Sequence, residues 1–270
     1  MTHQLETTPA PAAPGGTEER AAAKSTYQAE SRVAIVTGGS RGIGRESAER
    51  LAKDGFSVVI GYAGNHQEAS KAVRVIKGFG GSAIAVQADV ADESAVAALF
   101  DAAEREFGGT DVVVNCAGVM SLGPVADFDL DALDRMHRTN IRGTFVVSQQ
   151  AAKRVRNKGA IINLSTSVTR LALPGYAPYA ASKAAVDAIS LILAKELRGR
   201  DVTVNAVAPG PTATALFLDG KDEETISRLA KMNPLERLGA PDDIAGLIVF
   251  LASRDCWING QTIYANGGLA

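Results

Sequence analysis

The stretch Val33-Ala34-Ile35-Val36-Thr37-Gly38-Gly39-Ser40-Arg41-Gly42-Ile43-Gly44 decides the fold. Its first four residues are apolar and mostly β-branched, the composition of a strand covered on both faces. Glycines then permit a tight turn, and residues 44–53 carry a helical pattern that stops at Asp54-Gly55. A strand that passes through such a turn into a helix N-terminus lets backbone N–H groups approach a pyrophosphate closely. The spacing is G-x-x-x-G-x-G, with three residues between the first two glycines where the G-x-G-x-x-G fingerprint has one.

The same alternation continues outward. Residues 56–60, 82–87, 111–115, 160–164, 203–208 and 261–264 read as further short strands, and helical pattern fills 67–79, 94–107 and the other long intervals. Runs of Val and Ile without polar alternation require helices above and below a parallel sheet. The expectation is a single-domain, Rossmann-like, doubly wound α/β fold over residues 31–270, with a parallel sheet of about seven strands. Residues 1–30, rich in Thr, Ala, Glu and Pro, read as a disordered tail.

Composition excludes several classes of function. Apolar residues make up 46% and charged residues 21%, and 28 Lys plus Arg against 30 Asp plus Glu leaves a net charge of −2. Such a chain has no electrostatic footprint for nucleic acid and no polybasic anchor for a membrane surface. No apolar run approaches the ~18 residues of a membrane span. Cys116 and Cys256, spaced for neither zinc nor a disulfide framework, read as buried thiols of a reducing, cytoplasmic compartment, and no metal is expected.

Tyr179-Ala180-Ala181-Ser182-Lys183 opens a long helical stretch, so Tyr179 and Lys183 stand four apart on one face. An ammonium beside a phenol should pull the phenol below its reference pKa of about 10, toward what general acid or base work near neutrality needs.

Together these motifs resemble the short-chain dehydrogenase/reductase family over roughly residues 31–270. Thr37 to Gly44 resembles its TGxxxGxG cofactor turn, bringing Gly38, Ser40, Arg41, Gly42, Ile43 and Gly44 to the cofactor. Asp89-Val90 resembles the acidic pair that meets the adenine. Asn115-Cys116-Ala117-Gly118 resembles the NNAG segment, with Cys116 replacing the second Asn. Asn140 with Gly143 is similar to the helix Asn that orders a catalytic water. Tyr179 and Lys183 match YxxxK, and Pro209-Gly210 with Thr212 and Thr214 resembles the turn that holds the nicotinamide carboxamide.

The resemblance also implies a hydroxyl that binds the substrate oxygen, about thirteen residues before the Tyr. Counting back from Tyr179 lands on Thr166; a one-residue shift brings Ser167 into the role, and Ser165 follows. Family members that use NAD carry an acid at the end of the second strand, where this chain has Tyr62 and no carboxylate before Glu68. Arg41 stands where NADP users often place a base, and Ser40 and Asn65 add donors, so NADP(H) is expected ahead of NAD(H).

The implied activity is hydride transfer between NADP(H) and a carbonyl or secondary alcohol, as in 3-oxoacyl and aldehyde or ketone reductases. The alternatives are an alcohol or polyol dehydrogenase and a catalytically idle nucleotide-binding scaffold. Residues 212–238 resemble the family's substrate lid, and Met120, Leu122, Leu173 and Tyr176 are pocket candidates. Relatives assemble as symmetric tetramers, so a homo-oligomer is expected, with Trp257 either in such a contact or buried within one subunit.

Overall fold

Strand β1 (Val33–Thr37) is buried along its whole length, and its side chains divide between two cores. Ala34 and Val36 join one with Leu51, Ile60, Ile76 and Ile248, whereas Val33 and Ile35 join another with Val59, Phe100, Val113 and Val147. That division is the period-2 signature of a strand with helices on both sides.

The computed structural model describes residues 31–270. The tail expected at 1–30 lies outside them. After β1 come α1 (Gly42–Lys53), β2 (Ser57–Tyr62), α2 (His66–Gly78), β3 (Ala83–Gln87), α3 (Glu93–Phe107) and β4 (Thr110–Asn115). Next, α4 (Leu130–His137) runs through a π-helical turn, Arg138–Gly143, into α5 (Thr144–Arg154) and β5 (Val155–Leu164). The chain continues with α6 (Val168–Leu171), α7 (Ala177–Glu196), β6 (Thr203–Pro209), α8 (Ala215–Leu218), α9 (Glu223–Ala230), α10 (Pro241–Leu251) and β7 (Thr262–Ala265).

All seven strands are parallel, in the order β3-β2-β1-β4-β5-β6-β7. Helices α1, α2 and α10 cover one face through Leu51, Ile76 and Ile248, and α3, α5 and α7 cover the other through Phe100, Val147 and Leu193. The chain winds from β1 out to β3 and then crosses to β4 on the opposite side of β1. Loops at the carboxyl ends of β1 and β4 therefore diverge and leave a crevice, the usual ligand position in open α/β sheets.

Two boundaries differ from expectation. β2 continues to Tyr62, which pairs with Gln87 of β3. β5 begins at Val155 because Arg156, Asn157 and Lys158 extend it before the apolar run, with the register against β4 shifting between Thr110 and Val112. Lys158 takes φ +64°, so this part carries no strand-like alternation.

The segment between β6 and α10 leaves and returns at one place. Thr212 and Gly239 form a parallel bridge, Ala213 N donates to the Gly239 carbonyl at 2.8 Å, and Gly239 N donates to the Pro211 carbonyl at 2.8 Å.

Candidate active site

A cleft of about 610 Å³ opens at the carboxyl ends of the strands. Its floor requires glycine. Gly38 has φ +64°, and a Cβ there would lie 2.9 Å from the amide nitrogen of Ala117. A Cβ on Gly44 would press into the Gly38 carbonyl. The turn is held from below: Thr37 Oγ1 donates to Asn115 Oδ1 at 2.8 Å and accepts from Ala117 N at 3.2 Å. No side chain caps the start of α1, so its first N–H groups remain available to an anion.

Tyr62, Gly64 and Asn65 line the cleft beyond β2, as does Arg41, which is exposed. The nearest carboxylate along the chain, Glu68, is paired with Arg45 at 3.5 Å. Asp89 accepts from Arg138 Nη1 at 2.6 Å and from Ala91 N at 2.9 Å. At the opposite end Thr212 Oγ1 donates to the Gly210 carbonyl at 2.9 Å, and Thr214 caps α8.

α7 starts with Pro178 in its first turn, which presets the helix just before Tyr179. Tyr179 and Lys183 are 8% and 5% exposed and both line the cleft. Lys183 Nζ donates to the Leu164 carbonyl at 2.6 Å. A Cβ on Gly118 would be 3.4 Å from Asn140 Oδ1 and 3.5 Å from Lys183 Nζ, so the loop after β4, the π-helical turn and α7 converge. Asn140 is fully buried. Its Oδ1 accepts from Val119 N at 2.9 Å, and its Nδ2 donates to the Val119 carbonyl at 2.9 Å and to Ser182 Oγ at 3.0 Å. The Asn140 carbonyl accepts from Thr144 Oγ1 at 2.7 Å. A π-helical turn frees backbone groups from the regular ladder and is frequent at functional sites.

The two candidate hydroxyls differ in their bonding. Ser167 Oγ donates to the Ala208 carbonyl at 3.2 Å and accepts from Asn266 Nδ2 at 3.2 Å. Thr166 bonds instead with the Tyr179 phenol, and its Oγ1 accepts only a long contact of 3.4 Å from Val168 N. Ser165 also lines the cleft, and its Oγ donates to the Lys183 carbonyl at 3.5 Å.

The electrostatics reverse the expected direction for the phenol. Burial pushes Tyr179 up to about 12, partly opposed by the Thr166 hydrogen bond. Burial also pushes Lys183 down to about 8 and the Cys116 thiol up to about 12. Desolvation is the largest cause of all three shifts, and the ammonium hydrogen-bonds the Leu164 carbonyl.

Of the catalytic and cofactor-binding candidates singled out from sequence, all but Asn115 and Asn140 line the cleft; these two are buried and lie outside its lining. Cys116, on the cleft wall, and Cys256, elsewhere, are each partly buried and pack against the core, where buried thiols were expected. Met120, Leu173 and Tyr176 line the pocket and Leu122 does not. Leu229 and Met232 reach the wall from the 212–238 segment, and sequence reasoning missed Arg138, Leu171 and Leu269 on the wall and Ser182 beneath it. Ser182 sat inside the quoted Tyr179–Lys183 stretch, whereas nothing in the sequence marked the others. Trp257 is 99% exposed, which removes the buried alternative for it. Among the described residues no helix is long and apolar enough to cross a membrane, and no side-chain cluster suits a metal ion.

Comparison with known proteins agrees with this geometry. A family model described as enoyl-(acyl carrier protein) reductase matches residues 38–270. A Picea abies protein named short-chain type dehydrogenase/reductase is 46% identical over 248 residues, covering 88% of this chain and 92% of that protein. An Arabidopsis thaliana protein named NADPH-dependent aldehyde reductase-like protein, chloroplastic, is 42% identical over 252 residues, covering 88% and 93%. A short-chain dehydrogenase structure from Burkholderia cenocepacia in complex with NADP matches with TM-score 0.82 at 37% identity, covering 88% of this chain and 97% of that one.

Proposed function

The chain belongs to the short-chain dehydrogenase/reductase family, and from that premise we propose that it is an NADP(H)-dependent carbonyl reductase. The observation that carries the reading is one cleft joining a glycine-only turn, an Arg41 with no carboxylate opposite it, and the Thr166, Tyr179 and Lys183 cluster. The residues fit the cofactor: the floor admits no Cβ, and the amide nitrogen of Asn115, buried beside it, has no hydrogen-bond partner. Relatives named for NADPH and a neighbour bound to NADP support the same choice.

When bound, NADPH supplies the hydride; the protein supplies alignment and a proton. In our reading the glycine turn and the open start of α1 hold the pyrophosphate, Arg41 with Ser40 and Asn65 holds the 2′-phosphate, and Asp89 and Val90 meet the adenine. Pro209, Gly210, Thr212 and Thr214 hold the carboxamide end. Tyr179 keeps its proton at neutral pH and delivers it to the carbonyl oxygen, while Thr166 orients that oxygen. Lys183 favours the phenolate left behind. Asn140 fixes the Val119 backbone and the base of α7 through Ser182, and one lone pair of its carbonyl remains for a water.

The substrate end, with Val119, Met120, Leu171, Leu173, Leu216 and Met232, is apolar. This favours bulky, uncharged aldehydes and ketones over polyols, which would leave hydroxyls unpaired there. Residues 212–238 act as the lid over it. NADPH oxidation across a panel of aryl and alkyl carbonyls, with NADH in parallel, tests the reading. Cofactor binding without turnover on any member would return the chain to the scaffold alternative.

We place the enzyme in a homotetramer in the cytosol. Phe145 on α5, Ile192 on α7 and Phe250 on α10 are exposed apolar side chains, as is Trp257, and they supply the faces such an assembly would cover. Two free cysteines suit a reducing compartment. Light scattering during size exclusion tests the assembly, and a monomer would refute it.

A further inference from the structure

Tyr62 ends β2 on the cleft wall at 6% exposure, and its hydroxyl lies 2.8 Å from Nδ1 of His66, the first residue of α2. The other imidazole nitrogen, Nε2, lies 3.3 Å from Ser70 Oγ one turn further along the helix. The ring is therefore gripped at both nitrogens. Tyr62 is equally fixed from behind: its carbonyl accepts from Ala88 N at 2.8 Å, and Gln87 Nε2 donates to the next carbonyl, that of Ala63, at 2.8 Å. Asn65 is anchored as the α2 cap, its Oδ1 accepting from Glu68 N at 3.0 Å. Tyr62 is thus a side chain of fixed position lining the same cleft as Asn65 and Arg41.

From this arrangement we infer that His66 is a positioning residue for the 2′-phosphate of the cofactor, acting through the Tyr62 hydroxyl. The inference rests on the NADP(H) reading above. A phenol oxygen can accept one hydrogen bond while donating another. With its proton on Nδ1, the imidazole donates to the Tyr62 oxygen, and the phenol proton is then directed away from His66 into the cleft. With Nδ1 bare, the phenol proton turns inward to His66 and the cleft meets only oxygen lone pairs. In the first arrangement Ser70 Oγ donates to Nε2. The Tyr62–His66–Ser70 chain presents an outward donor where a carboxylate would repel phosphate, and it joins Arg41 in favouring the 2′-phosphate over a bare 2′-hydroxyl.

Binding of 2′,5′-ADP and of 5′-AMP, measured by calorimetry on the full chain, tests this without turnover. The native protein is expected to prefer 2′,5′-ADP. His66→Asn, whose amide nitrogen falls close to the position of Nδ1, should keep that preference. His66→Gln places its amide nitrogen near Nε2 instead, and it should lose about tenfold of the preference with 5′-AMP affinity unmoved, as should Tyr62→Phe. The double variant Tyr62→Phe/His66→Gln should lose no more than either alone. An unchanged preference in His66→Gln, or an equal fall in both affinities, would overturn the inference, the second outcome marking a purely structural residue. Loss in His66→Gln but not in Tyr62→Phe would overturn the relay in favour of direct contact by the imidazole. A native protein that fails to prefer 2′,5′-ADP would refute the NADP(H) reading itself and with it this inference.

Discussion

Lys183 Nζ donates to the Leu164 carbonyl at 2.6 Å, so the ammonium is tied to the end of β5 while the phenol four residues earlier bonds with Thr166. Burial shifts the two groups in opposite directions, Lys183 down to about 8 and Tyr179 up to about 12. For reduction the donor phenol stays protonated throughout the working range, and the limiting event is loss of the Lys183 charge. The pH profile of kcat/KM for carbonyl reduction is expected to be level below about 8 and to fall above it. Lys183→Arg, whose charge persists, should lack that limb at a lower plateau. A limb that survives the substitution belongs to another group. The same shift has a stability sign. Between about 8 and the ordinary 10.5 the unfolded chain binds more protons at Lys183, so this residue's contribution to stability rises with pH in that window.

Thr166 and Ser167 separate by their existing bonds. The Ser167 hydroxyl is occupied by Ala208 and Asn266, whereas the Thr166 hydroxyl faces Tyr179. Thr166→Ala is expected to lower kcat by about 10²-fold, the scale of losing one donor to a reacting oxygen. Ser167→Ala should mainly cost about 1 kcal/mol of stability, read as a lower denaturation midpoint with kcat retained. Tyr179→Phe, measured alongside, should bind cofactor normally and lose turnover by about 10²–10⁴-fold. The reverse pattern for the two hydroxyl variants would move the substrate-orienting role to Ser167.

Gly44→Ala forces a methyl group against the Gly38 carbonyl, which is backbone and cannot swing aside. Overpacking of this kind costs about 1–3 kcal/mol, and here the strain falls on the turn that receives the pyrophosphate. Both a lower urea midpoint and weaker binding of 5′-AMP are expected. Native affinity in Gly44→Ala would show that the turn has room the backbone geometry denies.

Arg41→Ala should raise KM for NADPH while leaving KM for NADH within about twofold, because the guanidinium meets only the phosphate that distinguishes the two. The size of the loss is expected to shrink as salt is raised, since the side chain is exposed. Equal losses on both cofactors would assign Arg41 to the turn's conformation instead.

The fold was legible because unbroken Val and Ile runs can only belong to strands covered on both faces, and six of the seven strands begin within about two residues of where that pattern starts. The first half of β5 was not legible, since Arg156, Asn157 and the positive-φ Lys158 carry no alternation. The candidate pair Tyr179 and Lys183 could be read from its spacing in company with the other motifs. The choice between Thr166 and Ser167 could not, because adjacent hydroxyls differ only in which distant groups reach them: Asn266 is 99 residues from Ser167. The acceptor of the Lys183 ammonium is a backbone carbonyl, which has no sequence signature, and the burial that raises Tyr179 comes from tertiary packing.

The staple between Thr212 and Gly239 gives the segment proposed as the lid an unusual freedom. Residues 213–238 begin and end on a single rung, so the entropy of closing that loop is met by the staple and not by the sheet beneath. Lengthening such a loop is thermodynamically cheap, with each doubling costing only about 0.6 kcal/mol. The segment proposed as the lid is therefore a cassette: its length and apolar content can drift while the residues proposed to deliver the proton keep their alignment.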